Sequence, residues 1–371
     1  MTTANTYLRD QCSTLPPAPG PSPASRSSAP EPSPRGPVAA PVPALTGPQS
    51  LAVQLTAGWD DVWQTAEANA TAIWNHFSAV PFPALQQVLA NQIGYVQGVF
   101  DGSRSFGDIA QEIQTHLGAL FGTPADGETP AAAGALFGPF LPAGGATDTL
   151  YASLDDVVTG PGMIGSFMTH AALFSLLTDP SILPGIATSL GLDEDMAPVL
   201  GSVLEFAASP LSGILIGQVS TMLSPVLQFN DDLGNIWESL SSGSPDWGAA
   251  FDSLIGMPAN LVDAYLNGYG AVDLMPILDQ LGIALPTLTI LDLPTEVTAL
   301  SVNLGGLLSP AGSIFDAIGM GSTTDALGDP ELLFDLPGLG VGPIASMVAM
   351  SQAIAEALGW DGSSDILASL F

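Results

Sequence analysis

Apolar residues recur at three- and four-residue spacing from Leu55 onward: Leu55, Trp59, Val62, Trp63, Ala66, Ala70, Ile73, Trp74 and Phe77, with Asp60, Asp61, Gln64 and Glu67 between them. That period predicts an amphipathic helix with an aromatic stripe. Pro81-Phe82-Pro83 should end it, because proline disfavours helix in the residue before it and cannot donate to the preceding turn. A second helix is expected from about Ala84, with Leu85, Val88, Leu89, Gln92, Val96 and Val99 on one side, closing at Asp101-Gly102. A third opens at Ser105 with Asp108 three residues on, a capping-box variant, and is expected to bury Phe106, Ile109, Ile113, Leu117 and Phe121. Residues 51–122 therefore read as a domain of three antiparallel helices.

Further along, prolines and glycines interrupt the helical period. Residues 123–147 read as a Gly/Pro/Ala linker, 148–270 as a region of short helices, and 271–371 as a mixed C-terminal region. The expected short helices are Asp148–Val158, Gly165–Leu177, Met196–Ala207, Leu211–Leu223, Leu233–Leu240, Trp247–Ile255 and Ala259–Leu266, with Ile344–Leu358 as the last helix. Thr287–Leu293 and Val297–Leu304 suggest two strands around Pro294-Thr295-Glu296. Between Pro16 and Pro48 stand 12 prolines in 33 residues, so residues 1–50 are expected to be a disordered, extended tail. The fold class is mainly α: an N-terminal three-helix segment, Pro/Gly-interrupted short helices and loops, a short β-hairpin near 287–304, and a disordered Pro-rich N-terminus.

Charge changes the picture. The chain has four basic residues, all arginine, against 36 acidic ones, a formal net charge of −32; charged residues make up 11% of it and mean hydropathy is +0.39. From Ser105 onward there is no Lys or Arg. Nucleic acid, nucleotide phosphate and anionic lipid headgroups are thereby excluded as electrostatic partners, and cations become the expected ones. Cytosolic enzymes ordinarily use surface lysine, so an exported or envelope setting is implied. Met1–Thr14 offers neither the basic start nor the apolar run of a leader, which points to another export signal or, as the favoured reading, to a start displaced from the true one.

Candidate chemistry is sparse. No Gly-x-Ser-x-Gly elbow occurs; Ser105 has Gly107 after it but Ser103 before it. His76, His116 and His170 lack zinc-site spacing and read as partly exposed helix histidines, while Cys12, the only cysteine, reads as an incidental thiol in the tail. Asp193-Glu194-Asp195 and Asn230-Asp231-Asp232 could hold a hard cation but do not continue into a calcium loop, and read as acidic first turns of helices, as do Asp60-Asp61 and Asp155-Asp156. Gly338-Leu-Gly-Val-Gly342 has no lysine nearby and reads as a flexible turn. Tyr151-Ala-Ser-Leu-Asp155 fits a loose secretion-substrate pattern without its accompanying Trp-x-Gly. No catalytic, cofactor-binding or metal-ligating residue is assigned, and a non-enzyme is expected.

Two charge-free stretches, Phe206–Phe229 and Val297–Phe315, are long enough to span a bilayer. Their Pro, Ser and Gly favour buried or surface-attached helices instead. The alternating ten-residue segments of a transmembrane barrel are absent from the sequence.

Several segments carry a family resemblance: Leu51-Ala-Val-Gln-Leu-Thr-Ala, Trp63-Gln-Thr-Ala-Glu-Ala-Asn-Ala-Thr, Val80-Pro-Phe-Pro-Ala-Leu-Gln-Gln-Val-Leu-Ala-Asn-Gln-Ile-Gly-Tyr95, Ala207-Ala-Ser-Pro-Leu-Ser-Gly-Ile-Leu-Ile-Gly217 with Ser224-Pro, and Ser313-Ile-Phe-Asp-Ala-Ile-Gly319. Over about residues 51–371 the chain resembles the GjpA-type family, a proposed outer-membrane porin family of mycobacteria and related actinobacteria. It also shares the low-charge style of PE/PPE-like exported proteins. The resemblance implies export to the cell envelope or mycolate outer membrane and a channel role, with an acidic pore favouring cations and homo-oligomers as a route to a pore. It brings no cofactor. The other expectation is a secreted PE/PPE-like interaction or structural protein without channel activity.

Overall fold

In a computed structural model, the described residues are 47–123, 134–139, 150, 169–282, 285, 287–290, 293–324, 331–362 and 366. The Pro-rich tail through residue 46, Cys12, most of the 123–147 linker, nearly all of Asp148–Val158, the Tyr151–Asp155 pattern and Asp155-Asp156 lie outside them. Residues from Gly47 on form one compact unit, mainly helical with a small antiparallel sheet.

Three helices open it: α1 (Gly47–Ala79), α2 (Pro83–Phe100) and α3 (Phe106–Phe121). Pro81-Phe82-Pro83 separates the first two, as its backbone restrictions require. Ser105 caps α3 with both bonds of the box: the Asp108 amide donates to Ser105 Oγ at 3.2 Å, and the Ser105 amide donates to Asp108 Oδ2 at 2.9 Å. The burial expected of α3 does not occur. Phe106, Ile113, Leu117 and Phe121 are exposed, because no element among the described residues covers that face of α3.

The middle of the chain folds as α4 (His170–Leu177), α5 (Leu183–Ser189), a 3₁₀ turn (Glu194–Met196) running into α6 (Ala197–Ala207), then α7 (Pro210–Ser241) and α8 (Trp247–Leu266). Short helices stand where expected at His170–Leu177 and Ala197–Ala207, but the expected breaks at Pro225 and Pro258 do not occur. Pro225 and Pro258 lie inside α7 and α8, which run through them for 32 and 20 residues. A proline within a helix costs a bond and about 3 kcal/mol in isolation. Packing offsets it. The two helices lie side by side, and Asn260 Nδ2 of α8 donates to the buried Asp232 Oδ1 of α7 at 3.0 Å.

The sheet follows: β1 (Gly268–Asp273), helix α9 (Met275–Leu281), β2 (Leu288–Ile290), β3 (Leu293–Gly305), helix α10 (Ile314–Ala317), β4 (Ile318–Thr324) and β5 (Glu331–Leu336). Strand order is β1-β3-β4-β5, all antiparallel, with β2 paired to the start of β3. The expected hairpin is present, but its turn lies elsewhere. Thr289 pairs with Pro294 and Leu288 with Thr295, so Pro294-Thr295-Glu296 is strand, not turn. Val297–Phe315 is accordingly β3 and the turn into α10, and not a membrane helix.

The last helix, α11 (Pro343–Ala357), packs across α7, α2 and α1. The interior at this crossing is made of small residues. Gly213, Gly217, Ser220, Thr221 and Ser224 occupy one face of α7, where the chain at Gly305, Gly312 and Gly342-Pro343 approaches closely. Gly338–Gly342, expected as a flexible turn, is packed here: Asn303 Nδ2 donates to Gly338 O at 2.7 Å, and Gly338, Val341 and Gly342 are buried. Core clusters form around Leu173, Phe174, Phe315 and Leu336, and around Ile73, Leu150, Ala311, Ala345 and Ala349.

Candidate functional site

Three features of the described residues are candidates for a functional site. The first is the outer surface of α7. Leu215, Val219, Met222, Val226, Phe229, Leu233 and Trp237 are all exposed. At 3.6 residues per turn they form a stripe on the side of the helix opposite Gly213, Gly217 and Ser224. α2 repeats the arrangement, with Leu85, Val88, Leu89, Ile93, Val96 and Phe100 exposed, and Pro83, Gln87, Tyr95 and Gly98 buried. On α7, large apolar side chains thus face outward while Gly, Ser and Thr face inward. α7 is the single helix among the described residues long and apolar enough to cross a membrane, and 39% of its apolar window is buried.

The second feature is a cavity of about 460 Å³ between α1, α2 and α11. Ile73, Trp74 and Phe77 of α1 form one wall; Leu308, Ile344, Met347 and Val348 form the other. Phe82 stands at its mouth with φ 51° and ψ 54°, the left-handed region, and is the only non-glycine residue among those described with positive φ. Its ring meets Phe77 edge-on at 5.0 Å, and Phe77 meets Trp74 at 5.9 Å. Ser351 brings the only side-chain hydroxyl to the lining, and no charged side chain lines it.

The third is a buried polar cluster. His170 comes together with the Ser313–Asp316 pair, more than 140 residues further along the chain, at 3%, 1% and 2% exposure respectively. His170 Nε2 donates to Ile318 O at 3.1 Å, since a carbonyl can only accept, and this assigns the ring proton to Nε2. Ser313 N and Oγ both donate to Asp316 Oδ2 at 2.8 Å, closing a capping box on α10. Burial pushes the Asp316 carboxyl up, opposed by the Ser313 hydrogen bonds and by His170, and burial pushes the His170 imidazole down. Both shifts favour the neutral forms. A nucleophilic triad needs serine bonded to histidine and open to substrate. Here Ser313 is committed to the aspartate and all three are closed off, so the cluster serves as a structural clasp between α4 and α10. His170 corrects the expectation of an exposed histidine.

The other sequence candidates separate. His76 lies on α1, and His116 on α3 has Nδ1 3.4 Å from Tyr95 OH. Asp193-Glu194-Asp195 sits at the turn into α6, as the acidic-first-turn reading has it. Asn230-Asp231-Asp232 does not: it lies inside α7, where Asp232 accepts from Gln228 at 3.1 Å and Asp231 accepts from Tyr269 OH. Among the described residues no three His, Cys, Asp or Glu side chains come within reach of one metal ion. Arg104, in the turn before α3, pairs with Glu112 at 2.6 Å in an exposed ion pair and also lies over the Tyr95 ring.

Comparison with family models, with curated proteins and with solved structures gives no match.

Proposed function

We propose that the protein is an exported, non-enzymatic component of the cell envelope that seats itself in lipid through the outward apolar faces of α7 and α2. The observation that supports this reading is the inverted distribution on α7, small residues within and large apolar residues without. In water a helix buries its large apolar side chains; in lipid the surroundings are as apolar as leucine, and helices pack through Gly, Ser and Ala while large side chains face out. A patch of this extent marks an interaction surface. The net charge of −32 repels anionic headgroups, so the lipid is neutral at its surface.

The GjpA-type resemblance adds a channel to this reading. One α7–α8 pair cannot enclose water, so a pore takes several copies, and its carboxylates would favour cations. Flotation of the purified full chain with vesicles of uncharged lipid tests the attachment, and planar-bilayer recording tests the pore. The protein should float, and a Val219→Gln/Val226→Gln variant should float less while unfolding at the same denaturant concentration. Protein left in the aqueous fraction defeats the lipid reading in favour of a secreted PE/PPE-like interaction protein. Absent conductance, or preference for anions, removes the channel alone.

A further inference from the structure

We infer that the cavity between α1, α2 and α11 is a binding site for the hydrocarbon chain of an uncharged lipid. This does not rest on attachment of α7 to lipid, since the cavity lies elsewhere and is lined by other residues. Its volume of about 460 Å³ falls within the range of about 300–1,000 Å³ typical of small-ligand sites. Ile73, Trp74, Phe77, Ile344 and Val348 supply apolar walls, and Ser351 is the sole side-chain hydroxyl.

Charge narrows the occupant. A carboxylate, phosphate or sulfate inside would meet no cation in the lining, which holds no Lys, Arg or His. An ammonium would lose its water without gaining a carboxylate, since none lines the cavity. An uncharged chain pays neither cost, and an uncharged polar head can remain in water at the mouth. The mouth itself carries the second observation. Phe82 is held left-handed between two prolines and is 61% exposed, as Trp74 is 63% exposed. A bulky residue in that backbone region is strained, and such strain persists where the surroundings or a ligand over-determine it. Here the strain holds an apolar ring over an apolar opening, where the protein's own packing recovers little from it.

The test is titration of the full chain, in detergent-free buffer, with the neutral fluorophore N-phenyl-1-naphthylamine, followed by displacement with monopalmitoylglycerol and, separately, with palmitate. Binding should saturate at one probe per chain. Monopalmitoylglycerol should displace it at least about ten-fold more effectively than palmitate, whose carboxylate at the mouth is repelled by a chain of net charge −32 and meets no cation in the lining. Ala70→Trp, at an exposed helical position on the cavity rim, should fill the space and abolish binding. Phe82→Gly should weaken binding about ten-fold, with no loss of unfolding midpoint, since glycine relieves the left-handed backbone. Val226→Gln on the α7 stripe should bind as the unaltered chain does. Non-saturating uptake, palmitate competing equally, or binding sensitive to Val226→Gln and indifferent to Ala70→Trp would overturn the proposal.

Discussion

Gly217 and Gly234 lie on the same helix, α7, and the same substitution should have opposite effects at the two sites. A methyl group added at Gly217 would sit 2.6 Å from Pro343 N, 2.8 Å from Gly342 C and 3.0 Å from Pro343 Cα. Ordinary carbon contacts lie at about 3.5–4.0 Å, and all three obstacles are backbone, so relief requires α11 to move off α7. Added bulk in a packed interior costs about 1–3 kcal/mol. Against this stands the helix preference for alanine over glycine, about 1 kcal/mol. The balance for Gly217→Ala is a loss of up to about 2 kcal/mol. At Gly234 nothing lies within 4 Å of the added carbon, so only the helix preference acts. Gly234→Ala should therefore gain about 0.5–1 kcal/mol. Urea denaturation followed by circular dichroism reads both, and the two midpoints should diverge, Gly217→Ala lower, by up to about 1 M at a slope of about 3 kcal/mol/M. A Gly217→Ala midpoint that rises in step with Gly234→Ala would refute the close approach of α11 to α7.

Buried His170 is held neutral, with its ordinary value pushed down; the unfolded chain, titrating near pH 6.5, then binds more protons than the folded one as pH falls, so this group's stabilisation is present above about pH 6.5 and lost below it. Asp316, pushed up, acts in the opposite sense: the folded state binds the extra proton, so its burial favours folding at low pH and disfavours it as pH rises above about 3.8. Denaturation midpoints at pH 7 and pH 5 should therefore fall less for His170→Gln than for the unaltered chain; equal falls would show that the imidazole is not a buried neutral group. Asn303→Ala should cost about 1–2 kcal/mol by stranding the Gly338 carbonyl, read by the same urea titration, and a change within about 0.3 kcal/mol would remove that bond from the account. Light scattering should rise as pH is lowered toward the isoelectric point near 4.1, because carboxylate repulsion vanishes while the apolar faces stay exposed; a flat trace from pH 7 to pH 4 contradicts it.

Local features were legible where local chemistry decides. The Ser105–Asp108 box, the proline pair around Phe82 and the final helix each follow from residues within one turn. Features set by partners were not. Pro225 and Pro258 read as breakers because the compensating contacts come from a neighbouring helix. Ile318–Thr324, weakened as a strand by Gly319 and Gly321, becomes β4 by pairing with β3 and β5. The period of α3 predicts a face but says nothing of whether another element covers it. The cavity draws on residues 70–83, 308 and 344–351, and the clasp joins His170 to Asp316, so no spacing along the chain announces either.

The exposed stripe also fixes which experiments can separate folding from attachment. Fully burying a Val, Leu, Phe or Met side chain yields about 1.5–3 kcal/mol. The seven stripe residues of α7, each about half to three-quarters exposed, therefore hold roughly 5–12 kcal/mol that folding leaves uncollected. Association consumes an estimated 4 kcal/mol or more of such a gain, and several side chains lose rotamer freedom. What remains suffices for attachment to lipid if most of the stripe is covered, and for little if only one turn is. Single substitutions on α7 should thus weaken attachment by small, nearly equal steps, whereas the opposite face, packed at Gly217 and Ser224 against the chain at Gly342 and Gly305, should answer to the same substitutions by losing stability. Attachment that vanished abruptly with any one stripe residue would point to a pocketed protein partner in place of lipid, because a fluid surface has no hot spot to lose.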